Sequence, residues 1–193
     1  YKEKKGFFDS IARQLEYQSI IEDYRPTSNA AYLKQSIKPY PSTEGEWNSL
    51  ITKLENNRNL PLAAGMANEY AFDLLKQGDI NKAIALLIRG LNAARTSGSG
   101  EKFVLEHNLA NAYLFNGNLS DAASMQETFL QSAVQKKEMV DQANTLVRIA
   151  LVQAYEKRYF AAENTIIRRA FPLYNKSKNQ FGKVYALINL AKI

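Results

Sequence analysis

A chain of 193 residues, 46% of them hydrophobic, has the length and composition of one globular domain or two small ones. It has no cysteine, which excludes disulfides, thiol nucleophiles and thiolate metal sites, and apolar runs such as Ala83 to Ile88 fall far short of the roughly 20 residues a membrane-crossing helix needs. The formal charge of +6 is concentrated late, in Lys157, Arg158, Arg168, Arg169, Lys176, Lys178 and Lys183, and reads first as a solubility feature and second as an attraction for an acidic partner.

The start, Tyr1-Lys2-Glu3-Lys4-Lys5, is charged and leads straight into an amphipathic stretch, so it does not read as a signal peptide. Phe7 to Tyr24 places Phe8, Ile11, Leu15 and Ile20/Ile21 on one helical face. Arg25-Pro26-Thr27 should stop that helix, because the residue before a proline is driven out of the α region. A short helix over 28–37 comes next, then a loop at Lys38-Pro39-Tyr40-Pro41. Thr43 and Glu46 form a capping-box signature before Trp47, Leu50, Ile51 and Leu54, which share one face. Residues 1–60 read as a helical lead-in or cap packed on the first of a set of repeats.

From Pro61 the chain becomes repetitive. Pro61 suits the first turn of a helix that should run to Lys76 or Gln77. Gly78-Asp79 then offers the left-handed conformation that a chain reversal requires. The partner helix, 80–95, turns Ala83, Leu87, Gly90 and Leu91 inward, and small residues at Ala71 and Ala83 let the pair approach closely while Leu74, Ile84 and Leu87 fill the groove. Thr96-Ser97-Gly98-Ser99-Gly100 reads as a flexible linker. A second hairpin turns at Asn116-Gly117-Asn118, with Leu109, Ala110 and Tyr113 set to face Leu119, Ala122 and Phe129; its second helix should run to about Lys137.

Gly78 and Gly117 lie 39 residues apart, and Leu151 and Tyr155 come after Leu109 and Tyr113 by 42. In the third copy Lys157-Arg158-Tyr159 replaces the glycine turn. A fourth first helix starts at Phe181, where Asn189-Leu190-Ala191 echoes Asn108-Leu109-Ala110. Self-similarity at this period marks a stacked helical-repeat protein. The boundaries are about 61–97, 101–137, 139–177 and a partial 180–193. Because the pattern breaks off with Ala186, Leu187, Leu190 and Ile193 uncovered, and no initiating methionine is present, the sequence predicts a piece of a longer protein, or an end covered by a partner.

Leu62 to Ile193 resembles the tetratricopeptide repeat (TPR) family. Leu109, Ala110, Tyr113, Gly117, Leu119 and Ala122 match its pattern, as do Tyr70, Ala71, Gly78, Ile80 and Ala83, with Leu74 in an aromatic slot. The family's Trp and closing Pro are absent, and the period of 39 to 42 is similar to a longer-helix subclass found in bacterial regulators and adaptor proteins. HEAT-type or other α-solenoids are the structural rival. The resemblance implies an all-α, right-handed solenoid of antiparallel helix hairpins whose first helices line a concave groove holding a peptide. It implies groove positions at Asn68, Glu69, Phe72, Lys76, His107, Asn108, Asn111, Phe115, Ala150, Gln153, Lys157, Asn189 and Lys192. Amides in such a groove offer donors and acceptors to a peptide backbone. The carboxylate clamp of TPR cochaperones is not expected, because only Asn108 fits it, the other positions holding Asn68, Phe72, Leu146 and Ala150.

Catalysis is not expected. His107 is the only histidine, so no histidine-based metal cluster can be built. Gly98-Ser99-Gly100-Glu101-Lys102 lacks phosphate-loop spacing and comes after a helix, not a strand. Glu22 and Asp23 are adjacent and should diverge around a helix. No cofactor is called for. The sequence therefore predicts a scaffold binding a protein or peptide, or another domain of its parent chain, as a sensory or regulatory module of a larger bacterial protein. The alternatives are an RNA-binding solenoid, disfavoured because the basic residues fall mainly on the implied convex side, and self-association through the uncovered last helix. The compartment, cytoplasmic or periplasmic, is left open.

Overall fold

Among the described residues, the apolar stripes of 3.6-residue period that the sequence sets between turn residues are helical. A computed structural model describes residues 18, 21–191 and 193, and no strand occurs among them. The helices are α1 (Ala30–Ser36), α2 (Glu44–Asn56), α3 (Leu60–Gln77), α4 (Ile80–Ser97), α5 (Glu101–Phe115), α6 (Leu119–Gln135), α7 (Met139–Tyr155), α8 (Tyr159–Asn164), α9 (Phe171–Lys176) and α10 (Gln180–Leu190), with a π-helical stretch, Thr165–Ala170, joining α8 to α9. The chain divides into two compact units, Tyr1–Asn116 and Gly117–Ile193. The expected apolar face of Phe8, Ile11, Leu15 and Ile20 lies outside the described residues.

One turn recurs. Arg58, Gly78, Gly98, Gly117, Lys137, Lys157 and Lys178 all have positive φ, at intervals of 20, 20, 19, 20, 20 and 21 residues. At six of the seven the backbone closes the preceding helix in the same way: the residue after the left-handed one donates five residues back, as in Asp79 N to Leu74 O at 2.9 Å and Arg158 N to Gln153 O at 2.8 Å. The lysines therefore do the conformational work of the glycines, which is why the third hairpin keeps its geometry without a glycine. Arg58 also brings α2, inside the expected lead-in, into this register.

In the first unit α3 packs against α2, α4 and α5, and α4 packs against α5. Trp47 stacks on Tyr70 with ring centroids 5.0 Å apart, and the Arg89 guanidinium holds the Glu55 carboxylate by two bonds of 2.9 and 2.6 Å, tying α4 to α2. Gly90 makes close approach possible, since a Cβ there would lie 3.1 Å from the Ala67 Cβ and 3.2 Å from the Ala64 carbonyl. Leu75, Leu87 and Leu105 are buried, each contributing about 1.5 to 3 kcal/mol. The capping box at Thr43 and Glu46 forms as expected, and the bonds from Ser42 and Thr43 hold the Glu46 carboxyl below its usual value.

In the second unit consecutive helical elements from α6 to α10 pack in turn, and α7 also touches α10. Leu146, Val147, Ile166, Tyr174 and Ala186 share one core. Pro172 has no N–H and its ring crowds the carbonyl four residues back, so an unbroken α-helix cannot pass through it. The π-helical turn just before absorbs the misfit, with Phe171 N donating to Ile166 O.

Three expectations change. Thr96 and Ser97 belong to α4 rather than a linker, their hydroxyls bonding back to the Asn92 and Ala93 carbonyls. Ala186 is fully buried, so the exposed apolar face of α10 is Phe181, Val184, Leu187 and Ile188. Asp23 is not helical, and its carboxylate turns to His107 and Asn111.

Candidate functional site

Pro26 keeps Arg25 out of the α region, and a residue outside a helix leaves both backbone polar groups needing partners. The described chain over Tyr24–Thr27 has neither helix nor strand, and it lies along α3 and α5. Asn108, on α5, reads Arg25 from both sides: its Oδ1 accepts the Arg25 N–H at 3.0 Å and its Nδ2 donates to the Arg25 carbonyl at 2.8 Å. Asn68, 40 residues earlier on α3, donates to the same carbonyl at 3.0 Å. The two amides join each other, Asn108 Nδ2 to Asn68 Oδ1 at 2.9 Å. Both N–H groups of Asn108 and the Asn68 N–H that faces Arg25 meet acceptors, which fixes both amide orientations.

The segment's side chains are held on either side of this grip. The Tyr24 ring stacks on Phe72, centroids 4.6 Å apart, and its hydroxyl donates to the Asn68 carbonyl at 2.6 Å and lies 3.0 Å from Asn68 Oδ1. Lys76 sits over the Phe72 ring, 4.7 Å from its centroid. Asn111 donates to Asp23 Oδ2 at 3.0 Å. His107 Nε2 lies 3.0 Å from the same oxygen and 3.1 Å from Asn111 Nδ2. Two acceptors of Asp23 face Nε2, its carbonyl at 3.2 Å and Oδ2 at 3.0 Å, so the tautomer protonated at Nε2 donates to Asp23 and leaves the contact with Asn111 as proximity alone. Further along, Ser28 N donates to Glu101 Oε2 at 3.1 Å, and the Ser28 hydroxyl bonds the other carboxylate oxygen. Lys34 pairs with Glu69 at 3.4 Å.

Burial, and then the nearby Glu69 carboxylate, hold the Tyr24 phenol well above its usual value of about 10. Below pH 10 the docked and released hydroxyls are both protonated, so docking is unaffected. Above it the released form ionises while the docked form resists, so docking weakens as pH rises. Tyr40 is pushed up to about 12 and Tyr70 upward as well, chiefly by burial, so they add to the alkaline loss. Between pH 8 and 11 the melting temperature of the wild type should therefore fall more steeply than that of Tyr24→Phe, read by circular dichroism; equal slopes would mean Tyr24 is not docked.

The structure thus brings together Asn68, Glu69, Phe72, Lys76, His107, Asn108 and Asn111. Phe115, half-buried, lies one turn beyond Asn111 on the same side of α5. In the second unit Gln153 accepts from Thr165 at 2.9 Å, Asn189 is buried and bonds back to the Tyr185 carbonyl at 2.8 Å, Ala150 is buried, and Lys157 occupies a left-handed turn beyond α7 instead of a helix face. Lys192 lies outside the described residues. Sequence reasoning missed Tyr24, Arg25, Ser28 and Glu101. Glu101, the first residue of α5, is only 4% exposed. The legible signals were Pro26 and the two asparagines spaced by 40. No known protein family and no curated protein matches the chain.

Proposed function

We propose that the protein is a protein-interaction scaffold in which the shared face of α3 and α5 grips an extended polypeptide segment. On this reading its hairpins stack as a right-handed, TPR-like solenoid, and it acts as a sensory or regulatory module of a larger bacterial protein. The observation that carries it is the double reading of the Arg25 backbone by Asn68 and Asn108. Side-chain amides that bond a backbone N–H and C=O recognise extended chain as such, while flanking contacts add sequence preference. No helix among the described residues is long and apolar enough to cross a membrane, and none of their His, Asp and Glu side chains cluster as a metal site.

The test is selection of extended octapeptides from a display library on a variant with the docked segment weakened, Asp23→Ala/Tyr24→Ala. Recovery of peptides whose binding is lost on adding Asn108→Ala supports the reading. Binding of labelled single-stranded RNA that falls steeply with salt, with no Asn108-dependent peptide recovered, overturns it in favour of phosphate recognition.

A further inference from the structure

Thr27 is 4% exposed, yet among the described residues its hydroxyl finds no hydrogen-bond partner. It sits against α3, where a Cβ added to Gly65 would come within 3.2 Å of it. A buried hydroxyl without a partner weakens docking relative to an apolar group of the same shape. The segment is therefore well matched at Asp23, Tyr24 and Arg25 and mismatched at Thr27. A strap selected only to be permanent would have no reason to keep that mismatch. A tethered segment competes at an effective concentration on the order of millimolar, so a modest defect is what lets a free ligand displace it.

We propose that this site takes an extended peptide from a partner protein, and that Asp23 to Thr27 is its tethered, weaker counterpart. The ligand class is an acidic residue, a tyrosine, a third residue held through its backbone, a proline and a β-branched apolar residue. This rests on the interaction-scaffold reading above. The acidic position answers His107 and Asn111, the tyrosine answers Phe72 and Asn68, the proline keeps the third residue out of the α region, and the apolar position replaces the buried Thr27 hydroxyl with a methyl group.

Two labelled peptides test this by fluorescence anisotropy: Glu-Asp-Tyr-Arg-Pro-Thr-Ser, as in the chain, and the same peptide with Val in place of Thr. The Val peptide should bind at least fivefold tighter than the Thr peptide, and Asp23→Ala/Tyr24→Ala should bind either at least tenfold tighter than the wild type does. Tyr24→Phe, which keeps its ring for stacking on Phe72, should fall between, guarding against a folding defect in the double variant. Saturating Val peptide should also speed hydrogen exchange at the wild-type Arg25 amide. Equal affinity for wild type and variants, Thr binding as tightly as Val, or an Arg25 amide unmoved by saturating peptide would each overturn the proposal. If neither peptide binds but Asn108-dependent peptides of another composition emerge from the library, this ligand class is wrong and the scaffold reading stands.

Discussion

Asn108→Ala is expected to destabilise the protein by about 3 kcal/mol and to release the segment around Arg25. Asn108 is 1% exposed and makes three hydrogen bonds, two to Arg25 and one to Asn68. A net bond contributes about 1 kcal/mol, and leaving the Arg25 N–H without its acceptor adds a desolvation penalty of similar size. Asn68 would still reach the Arg25 carbonyl and Tyr24 would still reach Asn68, so the network is damaged rather than erased. At about 3 °C per kcal/mol the melting temperature should fall by about 9 °C. The segment-specific readout is hydrogen exchange at the Arg25 amide, which should approach the rate of an unstructured peptide. Asn111→Ala, which removes one bond to Asp23, should cost about 1 kcal/mol. A loss below about 0.5 kcal/mol for Asn108→Ala, with the Arg25 amide still protected, would mean that the segment is held by something other than the asparagines. The Asn68→Ala/Asn108→Ala double variant should cost less than the sum of its parts, since the two amides share partners.

Gly182→Ala should destabilise the second unit by about 3 kcal/mol, against the ordinary sign of that change. In an exposed helix interior the substitution gains about 1 kcal/mol. Here a Cβ would fall well inside contact distance of the Tyr174 ring, with even Cζ only 2.9 Å away. The ring cannot easily step aside: Tyr174 is fully buried, and its hydroxyl donates to Asn144 Oδ1 on α7 at 2.6 Å. Either α10 moves away from α9 or the tyrosine leaves its rotamer, and forced overpacking of this kind costs about 1 to 3 kcal/mol or somewhat more. Denaturant unfolding of the variant measures the effect, and Tyr174→Leu in the Gly182→Ala background should recover part of it. A neutral or stabilising Gly182→Ala would show that α10 does not pack on Tyr174 as described.

Much of the fold could be read from the sequence because helix formation and termination are local. The apolar period gave the helices, Pro61 and Thr43 marked starts, and Gly78 and Gly117 marked turns. Lys137, Lys157 and Lys178 were harder, because a lysine in the left-handed region has no propensity signal of its own; only the even spacing of about 20 residues shows it doing the same task. The π-helical turn before Pro172 answers to proline chemistry but not to the apolar pattern. Ala71, Ala110 and Ala122 are fully buried, as close helix packing requires.

The sequence by itself determined that the chain is a series of helices joined by short turns, and it singled out Asn68, His107, Asn108 and Asn111 on first-helix faces. Only the tertiary structure decided what those residues touch. The segment that meets them comes from 43 to 88 residues earlier in the chain, and pairings at that distance depend on how whole helices are placed, which no local pattern of residues encodes.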